Sequence, residues 1–432
     1  MIIRMITRHP YAVMFERRLP APGGLQVGFL DRLRDGFLGR FLGRLQVALL
    51  TAGTRFVLSY VSSCTTKFRL SSLPALTLSF MLLALSVSAG AAGVPRFAVD
   101  ISWPKPLPNQ WVLGEIGGIA VDARDHIWVY QRPRSLTDDE RGAASDPPSS
   151  KCCRPAPPVL EFDAEGNLLS AWGGPGPGFE WPEREHGIFV DANDHVWIAG
   201  NAKTDAQVLK FTRDGKFLQQ FGRAGRTSGS NSPTDLGRPA LAISDIATGE
   251  LYIADGYGNR RVLVLDAATG AYKRHWGAYG NRPDDTDLGN YDPAAPRAKQ
   301  FRATVHCVRI AHDGLVYVCD RLNNRIQVFQ RDGSFVKEYL LEPKTRHIGS
   351  VWDIAFSEDK EQRYMYVADG TNSEIHILLR STGERLSAFG RSGRQAGQFH
   401  WVHGIAADSK GNIYTGEVDS GKRVQKFKRL PD

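Results

Sequence analysis

Short alternating stretches of hydrophobic and polar residues recur along the chain after residue 110. Each unit has an apolar strand, a tight turn rich in Asp, Asn and Gly, and a second strand with aromatic residues, followed by a third and a fourth strand. Alternation with a period of two, interrupted by Gly and Asp turns, is typical of β-hairpins. The units begin GGIAVDARDHIWVYQ (117), HGIFVDANDHVWIAG (186), ALAISDIATGELYIADGYGN (240), HCVRIAHDGLVYVCD (306), WDIAFSEDKEQRYMYVADGTN (352) and HGIAADSKGNIYTGE (403).

Six such units predict an all-β fold. Units of roughly 50 to 70 residues cannot each bury their own faces, so we expect them to pack radially into a six-bladed β-propeller of four-stranded antiparallel blades over residues 95–432. The last unit ends at RVQKFKRLPD without a fourth strand, and the segment PRFAVDISW (95–103) precedes the first full unit. We expect this N-terminal strand to complete the last blade, which closes the ring and removes its open edge.

Charge is distributed unevenly along the chain. Residues 1–70 contain 11 Lys and Arg against three acidic residues, whereas the rest of the chain has 43 basic and 43 acidic side chains. The formal net charge of +8 therefore lies in the N-terminal segment, and the body is neutral. A neutral body lacks the electrostatic footprint of a nucleic-acid-binding protein, so we predict no nucleic-acid partner.

Residues 67–92 are typical of an export signal. Lys67 and Arg69 precede an apolar run that ends in small residues, which is the order of charge, apolar core and cleavage site found in signal peptides. We interpret 67–92 as a signal peptide or signal anchor, and 1–66 as a basic preface that is disordered or reflects a start codon placed too early. Residues 73–89 would make a short membrane tether, since about 17 apolar residues is marginal for a span. We expect an extracytoplasmic propeller, secreted or periplasmic, with membrane anchoring as the alternative.

Four cysteines fall in the part expected to be exported, an even number in a compartment where disulfides persist. The turn AHDGL (311–315) predicts a three-residue hairpin loop, which places Cys307 and Cys319 opposite each other on adjacent strands. We expect a cross-strand disulfide between them, subject to register. Cys152 and Cys153 lie in a long loop and either pair with each other or stay reduced.

At one position near the start of each unit, histidine alternates with other residues. Aligned on their turns, the six units have there, in chain order, Gly117, His186, Ala240, His306, Trp352 and His403. Histidine thus occupies every second blade, about 120° apart in a six-bladed ring whose first strands line the central channel. We therefore predict that His186, His306 and His403 form a metal site with open coordination positions, as in catalytic zinc sites. Zinc suits imidazole ligands, and another divalent transition metal is the alternative.

Two further residues are candidates for the same site. In an antiparallel hairpin the end of the second strand lies beside the start of the first, so residues just past each second strand should share the histidine face. Blade one places Arg132 there, in VYQRPR, and blade three places Tyr257, in ADGYGNRR. The long connections 133–157, 224–238 and 278–300 open on this face, as expected of a side that carries a site.

The repeats resemble a known family. The pattern G-I-A-V-D-x-x-G-N-I-Y-V-A-D, with N-R-I-Q-V-F after it, resembles NHL repeats over residues 95–432. Among NHL-repeat propellers, the candidate site resembles that of peptidyl-α-hydroxyglycine α-amidating lyase. Zinc-binding histidines of that family stand in H-G-[LI], H-S-L and H-D-I contexts, which are similar to EHGI (His186), VHCV (His306) and VHGI (His403). Its arginine in V-Y-Q-Q-R is similar to Arg132, with one residue fewer here, and its tyrosine in D-G-Y-x-N to Tyr257.

The resemblance implies a zinc-dependent carbon–nitrogen lyase. Such an enzyme cleaves a carbinolamide to an amide and glyoxylate, and its substrate is a small molecule or peptide with a carboxylate. Tyr257 would accept the hydroxyl proton and Arg132 would bind the carboxylate. The family has Asp after its third histidine, where it helps to hold a structural calcium, whereas this chain has Gly404, which puts calcium in doubt.

Two other functions are consistent with the same residues. A different metal-dependent propeller enzyme, such as a hydrolase or lactonase, would use the three histidines to activate water. A non-enzymatic NHL-repeat propeller would bind peptide or glycan ligands on its loop face. Metal content distinguishes the binding protein from both enzymes, and glyoxylate release distinguishes the lyase from the hydrolase.

Overall fold

The computed structural model describes residues 93–431, which contain 26 β-strands and four short 3₁₀ helices. The segments predicted as a basic preface (1–66) and as an export signal (67–92) lie outside the described residues. Within residues 93–431, no helix has both the length and the apolar character needed to cross a membrane.

The strands are numbered in chain order. Ahead of the first full blade lie β1 (Phe97–Val99) and β2 (Trp111–Val112). Blade one contains β3 (Glu115–Val121) and β4 (Ile127–Arg132), then the loop strand β5 (Arg154–Pro155), then β6 (Val159–Phe162) and β7 (Leu168–Trp172). Blade two contains β8 (Glu185–Val190), β9 (Val196–Gly200), β10 (Gln207–Phe211) and β11 (Phe217–Gly222). Blade three contains β12 (Leu241–Asp245), β13 (Glu250–Asp255), β14 (Arg261–Asp266) and β15 (Tyr272–Trp276).

Blades four to six have the same plan. Blade four contains β16 (Val305–Ile310), β17 (Val316–Asp320), β18 (Arg325–Phe329) and β19 (Phe335–Leu340). Blade five contains β20 (Asp353–Phe356), β21 (Tyr364–Asp369), β22 (Glu374–Leu379) and β23 (Arg385–Phe389). Blade six contains β24 (Val402–Ala407), β25 (Ile413–Glu417) and β26 (Val424–Arg429). The 3₁₀ helices span Pro133–Ser135, Asp139–Ala144, Ala278–Gly280 and Arg321–Asn323.

The N-terminal strand closes the ring. The sixth sheet has the order β1-β26-β25-β24, and β1 pairs antiparallel with β26 so that Phe97 faces Arg429. The six-bladed, all-β fold predicted from the repeats is confirmed, with four antiparallel strands in every blade. Both ends of the described chain are therefore held by hydrogen bonds within one blade.

The hydrophobic core lies between neighbouring blades. The second strand of every blade carries one aromatic residue at the same place, and each of these side chains is at most 1% exposed. These residues are Trp128, Trp197, Tyr252, Tyr317, Tyr366 and Tyr414. Large rings at this position fill the space between adjacent sheets, which explains why each repeat has an aromatic second strand.

The predicted cross-strand pairing of cysteines is present in blade four. Cys307 on β16 lies opposite Cys319 on β17, with their Cα atoms 4.9 Å apart and a disulfide between them. Cys152 and Cys153 are also joined to each other. A parallel pairing of β2 with β5, which places Trp111 beside Arg154, was not predicted because two-residue strands have no detectable alternation.

Candidate metal centre

Three imidazoles meet at one level of the central channel. His186, His306 and His403 lie at the starts of β8, β16 and β24. The three residues are only 2%, 4% and 3% exposed, in that order. The ring centroids are 4.9, 4.7 and 4.8 Å apart for the three pairs, and one ring nitrogen from each lies within 4.8 Å of the others. The three rings thus form a nearly equilateral triangle around the axis.

The neighbouring blades fix the orientation of two of these rings. Nδ1 of His186 donates a hydrogen bond to the carbonyl oxygen of Ala240 at 2.7 Å, and Nδ1 of His306 donates to the carbonyl of Trp352. Ala240 and Trp352 occupy the same repeat position as the histidines, one blade further on. Because a carbonyl can only accept, Nδ1 carries the proton and Nε2 keeps a lone pair, which is the tautomer that metal-binding histidines use.

A close approach of two backbones makes the first of these bonds possible. Gly187 comes directly after His186, and a Cβ atom at this position would overlap the carbonyl oxygen of Ala240. Glycine therefore lets β8 come close enough to β12 for the imidazole to reach that carbonyl. The H-G pair in the sequence reflects this packing requirement.

One of these nitrogens is free to bind a metal ion. Nε2 of His306 is buried and has no hydrogen-bond partner among the described residues, and an unpaired buried polar atom is unusual in a folded protein. Burial lowers the pKa of all three histidines, with repulsion from His306 adding to the effect at His186, and from His186 at His403. The rings are therefore neutral near pH 7, as metal ligands must be.

Tyr257 stands at the edge of this cluster. Its hydroxyl group donates to Nε2 of His186 at 2.9 Å, and its ring contacts that of His306 with centroids 5.8 Å apart. The residue comes after β13, where the end of the second strand lies beside the histidine level. Its hydroxyl oxygen is also 3.3 Å from Nη1 of Arg321, which donates to it.

Arg321 was not among the residues predicted from sequence. It is 7% exposed, its guanidinium carbon lies 4.5 Å from the ring centre of Trp352 and 5.6 Å from that of Tyr257, and its buried Nε has no hydrogen-bond partner among the described residues. The segment CDRLNN has the composition of an ordinary loop closure. The available signal was its place directly after the second strand of a histidine blade.

Arg132 lies beside the histidines but is already engaged. Its Nε donates to the carbonyl oxygen of Glu185 at 2.6 Å, and Nη1 forms an ion pair with Glu115. The residue is 3% exposed, and burial lowers its pKa from the ordinary arginine value. Arg132 thus holds the residue that precedes His186, and Nη2 is the nitrogen left for another partner.

Below the histidines, the central channel contains an ion pair of an arginine and an aspartate. Gly404 supplies no carboxylate there. The carboxylate at this level is that of Asp353, whose Oδ2 lies 3.9 Å from the point that a Cβ atom on residue 404 would occupy. This oxygen accepts hydrogen bonds from Arg309 at 2.8 Å and from the backbone amide of Ile405 at 3.2 Å. The carboxylate of Asp353 therefore already has a cationic partner.

A second group of side chains of the kinds that bind metals lies away from the axis. It consists of Asp122, His126 and Glu161. Arg213 stands among them, 2.7 Å from Asp122 and in an ion pair with Glu161. His126 Nδ1 is 2.7 Å from Glu161. A guanidinium in this position takes the place of an added cation, so we interpret this group as a structural ion-pair network.

The chain was compared with known proteins. No protein-family profile matches it. NHL repeat-containing protein 3 of Mus musculus is 26% identical over 354 residues, which cover 77% of this chain and 84% of that protein. Peptidyl-glycine alpha-amidating monooxygenase B of Xenopus laevis is 24% identical over 339 residues, which cover 76% of this chain and 35% of that protein.

A third relative is Peptidyl-alpha-hydroxyglycine alpha-amidating lyase 2 of Drosophila melanogaster, 30% identical over 190 residues that cover 42% of this chain and 43% of that protein. The six blades and these relatives support the interpretation of the chain as an NHL-repeat propeller. The matched part spans about a third of the frog monooxygenase and less than half of the fly lyase. These relatives support membership of the same group of propellers. The activity is a separate question, because the matched part covers less than half of either amidating enzyme.

Proposed function

We propose that this propeller is a metal-dependent carbon–nitrogen lyase, with zinc as the metal, that cleaves a carboxylate-bearing carbinolamide to an amide and glyoxylate. The observation that carries the proposal is the triangle of neutral, buried imidazoles with the hydroxyl group of Tyr257 only 2.9 Å from one ligand nitrogen. The distant relationship to an amidating lyase and an amidating monooxygenase supports it.

The ligands of the metal would be the three Nε2 atoms, and at His186 the metal would replace the hydrogen bond that Nε2 accepts from Tyr257. His306 Nε2 has no other hydrogen-bond partner among the described residues, and the carbonyl bonds at Nδ1 hold the rings of His186 and His306 in place. Three protein ligands leave an open position, which is the arrangement of catalytic zinc. A metal bound there supplies Lewis acidity that makes a substrate hydroxyl group easier to deprotonate.

Tyr257 would move the proton. As the phenolate it accepts the hydroxyl proton of the carbinolamide, the C–N bond breaks as the C=O bond of the aldehyde forms, and the same proton then passes to the departing amide nitrogen. Atoms and electrons balance without a further reactant. Arg321, whose Nη1 donates to the Tyr257 oxygen at 3.3 Å, stabilises negative charge on that oxygen.

Arg132 would contact the substrate carboxylate through Nη2. Its Nε and Nη1 groups are engaged by Glu185 and Glu115, so it offers one nitrogen, Nη2, and not a fork of two free nitrogens. Arg321 is a second cation on the same side of the histidines. Together they make the entrance of the site positive, which favours an anionic substrate.

The test is a metal and product assay on the purified full chain. We expect about one zinc per chain and release of glyoxylate from an α-hydroxyglycine peptide. Tyr257→Phe should keep the metal and lower kcat roughly 10²- to 10⁴-fold, the usual contribution of a proton-transferring side chain. Tyr272→Phe, a change on the exposed outer strand β15, is the matched control and should have no effect. A metal-free protein, or one that releases no glyoxylate, would refute the lyase, and full activity of Tyr257→Phe would refute the role of Tyr257.

A second candidate is a metal-dependent hydrolase or lactonase that activates water at the same histidines. The engagement of Arg132 by Glu115 favours it, because a neutral lactone needs no arginine fork. Hydrolysis of a lactone panel without glyoxylate release from the hydroxyglycine peptide would identify this activity. A chain that binds no metal and turns over neither substrate would be a non-enzymatic ligand-binding propeller.

We also propose that the propeller works outside the cytoplasm. The paired Cys307 and Cys319 support this location, since disulfides persist in oxidising compartments. Fractionation of cells that express the full chain, with thiol labelling before and after reduction, tests the proposal. Recovery in the cytoplasmic fraction with both thiols labelled before reduction would contradict it.

A further inference from the structure

The central channel is divided into two chambers. A void of about 20 Å³ lies directly beneath the histidines, and a cavity of about 680 Å³ opens at the other end. The larger cavity is lined mainly by apolar side chains of the first strands, among them Ile119, Ile243, Ile354 and Ile405. Arg309 lines both spaces, so its side chain stands at the boundary between them.

Arg309 forms an ion pair across this boundary. Its Nη2 lies 2.8 Å from Oδ2 and 3.0 Å from Oδ1 of Asp353, and its Nε lies 3.3 Å from Oδ1. The backbone amides of Ile354 and Ile405 donate to the same carboxylate at 2.9 and 3.2 Å. Asp353 is 7% exposed, so its negative charge needs a cation close by.

We propose that the guanidinium of Arg309 takes the place of a metal ion in the central channel below the histidines. The chain then holds no second metal ion at this level. The Arg309–Asp353 pair also closes the channel behind the histidine site. This goes beyond the proposed lyase function and does not depend on it. A metal at the histidines would then be reached from the Tyr257 side alone.

The donor set supports this assignment. Calcium takes six to eight oxygen ligands, several of them carboxylates. Here one carboxylate is available, both of its oxygens bond Arg309, and Gly404 adds none. A divalent ion would also be repelled by the guanidinium at short range. Arg309 and a calcium ion are therefore alternative partners of Asp353.

The first test uses calcium alone as the probe. The purified full chain, dialysed into calcium-free buffer, is titrated with calcium to about 5 mM, above the range of extracellular calcium modules. We expect no binding heat and a Tm unchanged within about 1 °C, since a ligand stabilises only a state that binds it. Stoichiometric calcium binding, or a Tm that rises with calcium, would overturn the proposal whatever the outcome of the zinc and glyoxylate assays.

The second test exchanges the cation. The double variant Arg309→Gln, Gly404→Asp removes the guanidinium and adds a second carboxylate; the new Cβ would lie 3.1 Å from Cγ2 of Ile119, a contact that a small shift relieves. We expect its Tm to rise by several degrees with calcium. The matched variant Arg309→Gln, Asp353→Asn has no charge at the boundary and should not respond.

The outcomes are separable. A folded Arg309→Gln, Gly404→Asp protein that ignores calcium contradicts the proposal, because the cation position would then be unsuited to an ion. If this variant is folded only in calcium, the proposal is supported. If it does not fold under either condition, the single variant Arg309→Gln is unfolded in urea without calcium, with circular dichroism to check folding. A lower midpoint or loss of the fold supports Arg309 as the cation that Asp353 needs, and an unchanged midpoint contradicts the proposal.

Discussion

The even-numbered and odd-numbered blades use the same repeat position in opposite ways. Blades two, four and six place an imidazole there, whereas blades three and five use the backbone carbonyl of Ala240 and Trp352 to hold the imidazole of the blade before. Blades two, four and six thus supply the imidazoles, and blades three and five orient two of them. The same structural position therefore acts through its side chain in one blade and through its backbone carbonyl in the next.

The largest effect is expected from breaking the histidine triangle. His306→Ala removes a ligand and its carbonyl bond, so bound metal should be lost and any metal-dependent turnover should fall at least ~10³-fold. Metal analysis and a turnover assay measure this. His312→Ala, in an exposed turn, is the matched control and should leave both unchanged. Full metal occupancy in His306→Ala would show that the triangle is not the metal site.

The next effect concerns the residue directly after each histidine. Blades two and six have Gly187 and Gly404, whereas blade four has Cys307, paired with Cys319 twelve residues on. Replacing both cysteines by alanine should lower the free energy of unfolding by about 3 kcal/mol, as expected for a loop of this length. Urea unfolding measures it, with metal content as the second readout. Unchanged stability under oxidising conditions would mean that the disulfide does not stabilise blade four.

A smaller effect should come from disturbing a carbonyl that holds an imidazole. Gly187→Ala pushes a methyl group against the carbonyl oxygen of Ala240 and should weaken metal affinity roughly 10- to 100-fold through loss of the His186 orientation. Competition with a chromophoric chelator gives the affinity. Gly93→Ala, where a Cβ meets nothing within 4 Å, is the control. Equal affinities in both variants would argue that the carbonyl bond is unimportant.

The smallest effect for a single residue is a pH dependence of the metal-free chain. Burial holds the pKa of the three histidines below the ordinary value of 6.5, so the unfolded state takes up protons first as pH falls. Stability is therefore complete above pH 6.5 and is lost below it, by about 1.4 kcal/mol per pH unit for each histidine. Urea unfolding between pH 7.5 and about 5.5 measures the slope. His403→Gln should reduce this slope, and an unchanged slope would assign the protons elsewhere.

Features with a repeating signal were predictable. The strand alternation, the missing fourth strand of the last unit and the aromatic second strands led to the closed propeller, and the turn at 311–315 placed Cys307 opposite Cys319. Features without a repeat were not. Arg321 stands in a segment that also looks like an ordinary loop closure, and the two-residue strands β2 and β5 pair across a long stretch of chain.

The amino-acid sequence by itself determined the alternation of histidine with Gly117, Ala240 and Trp352. In a ring of repeats, residues that recur at a fixed interval along the chain lie at fixed angles around the central axis. Only the tertiary structure decided which atoms those residues use. Carbonyl acceptors are present at every residue, and the partner of a buried charge such as Asp353 depends on which blade comes next to it. Ring geometry results from periodicity, whereas hydrogen-bond partners and ion pairs result from contacts between residues far apart in the chain.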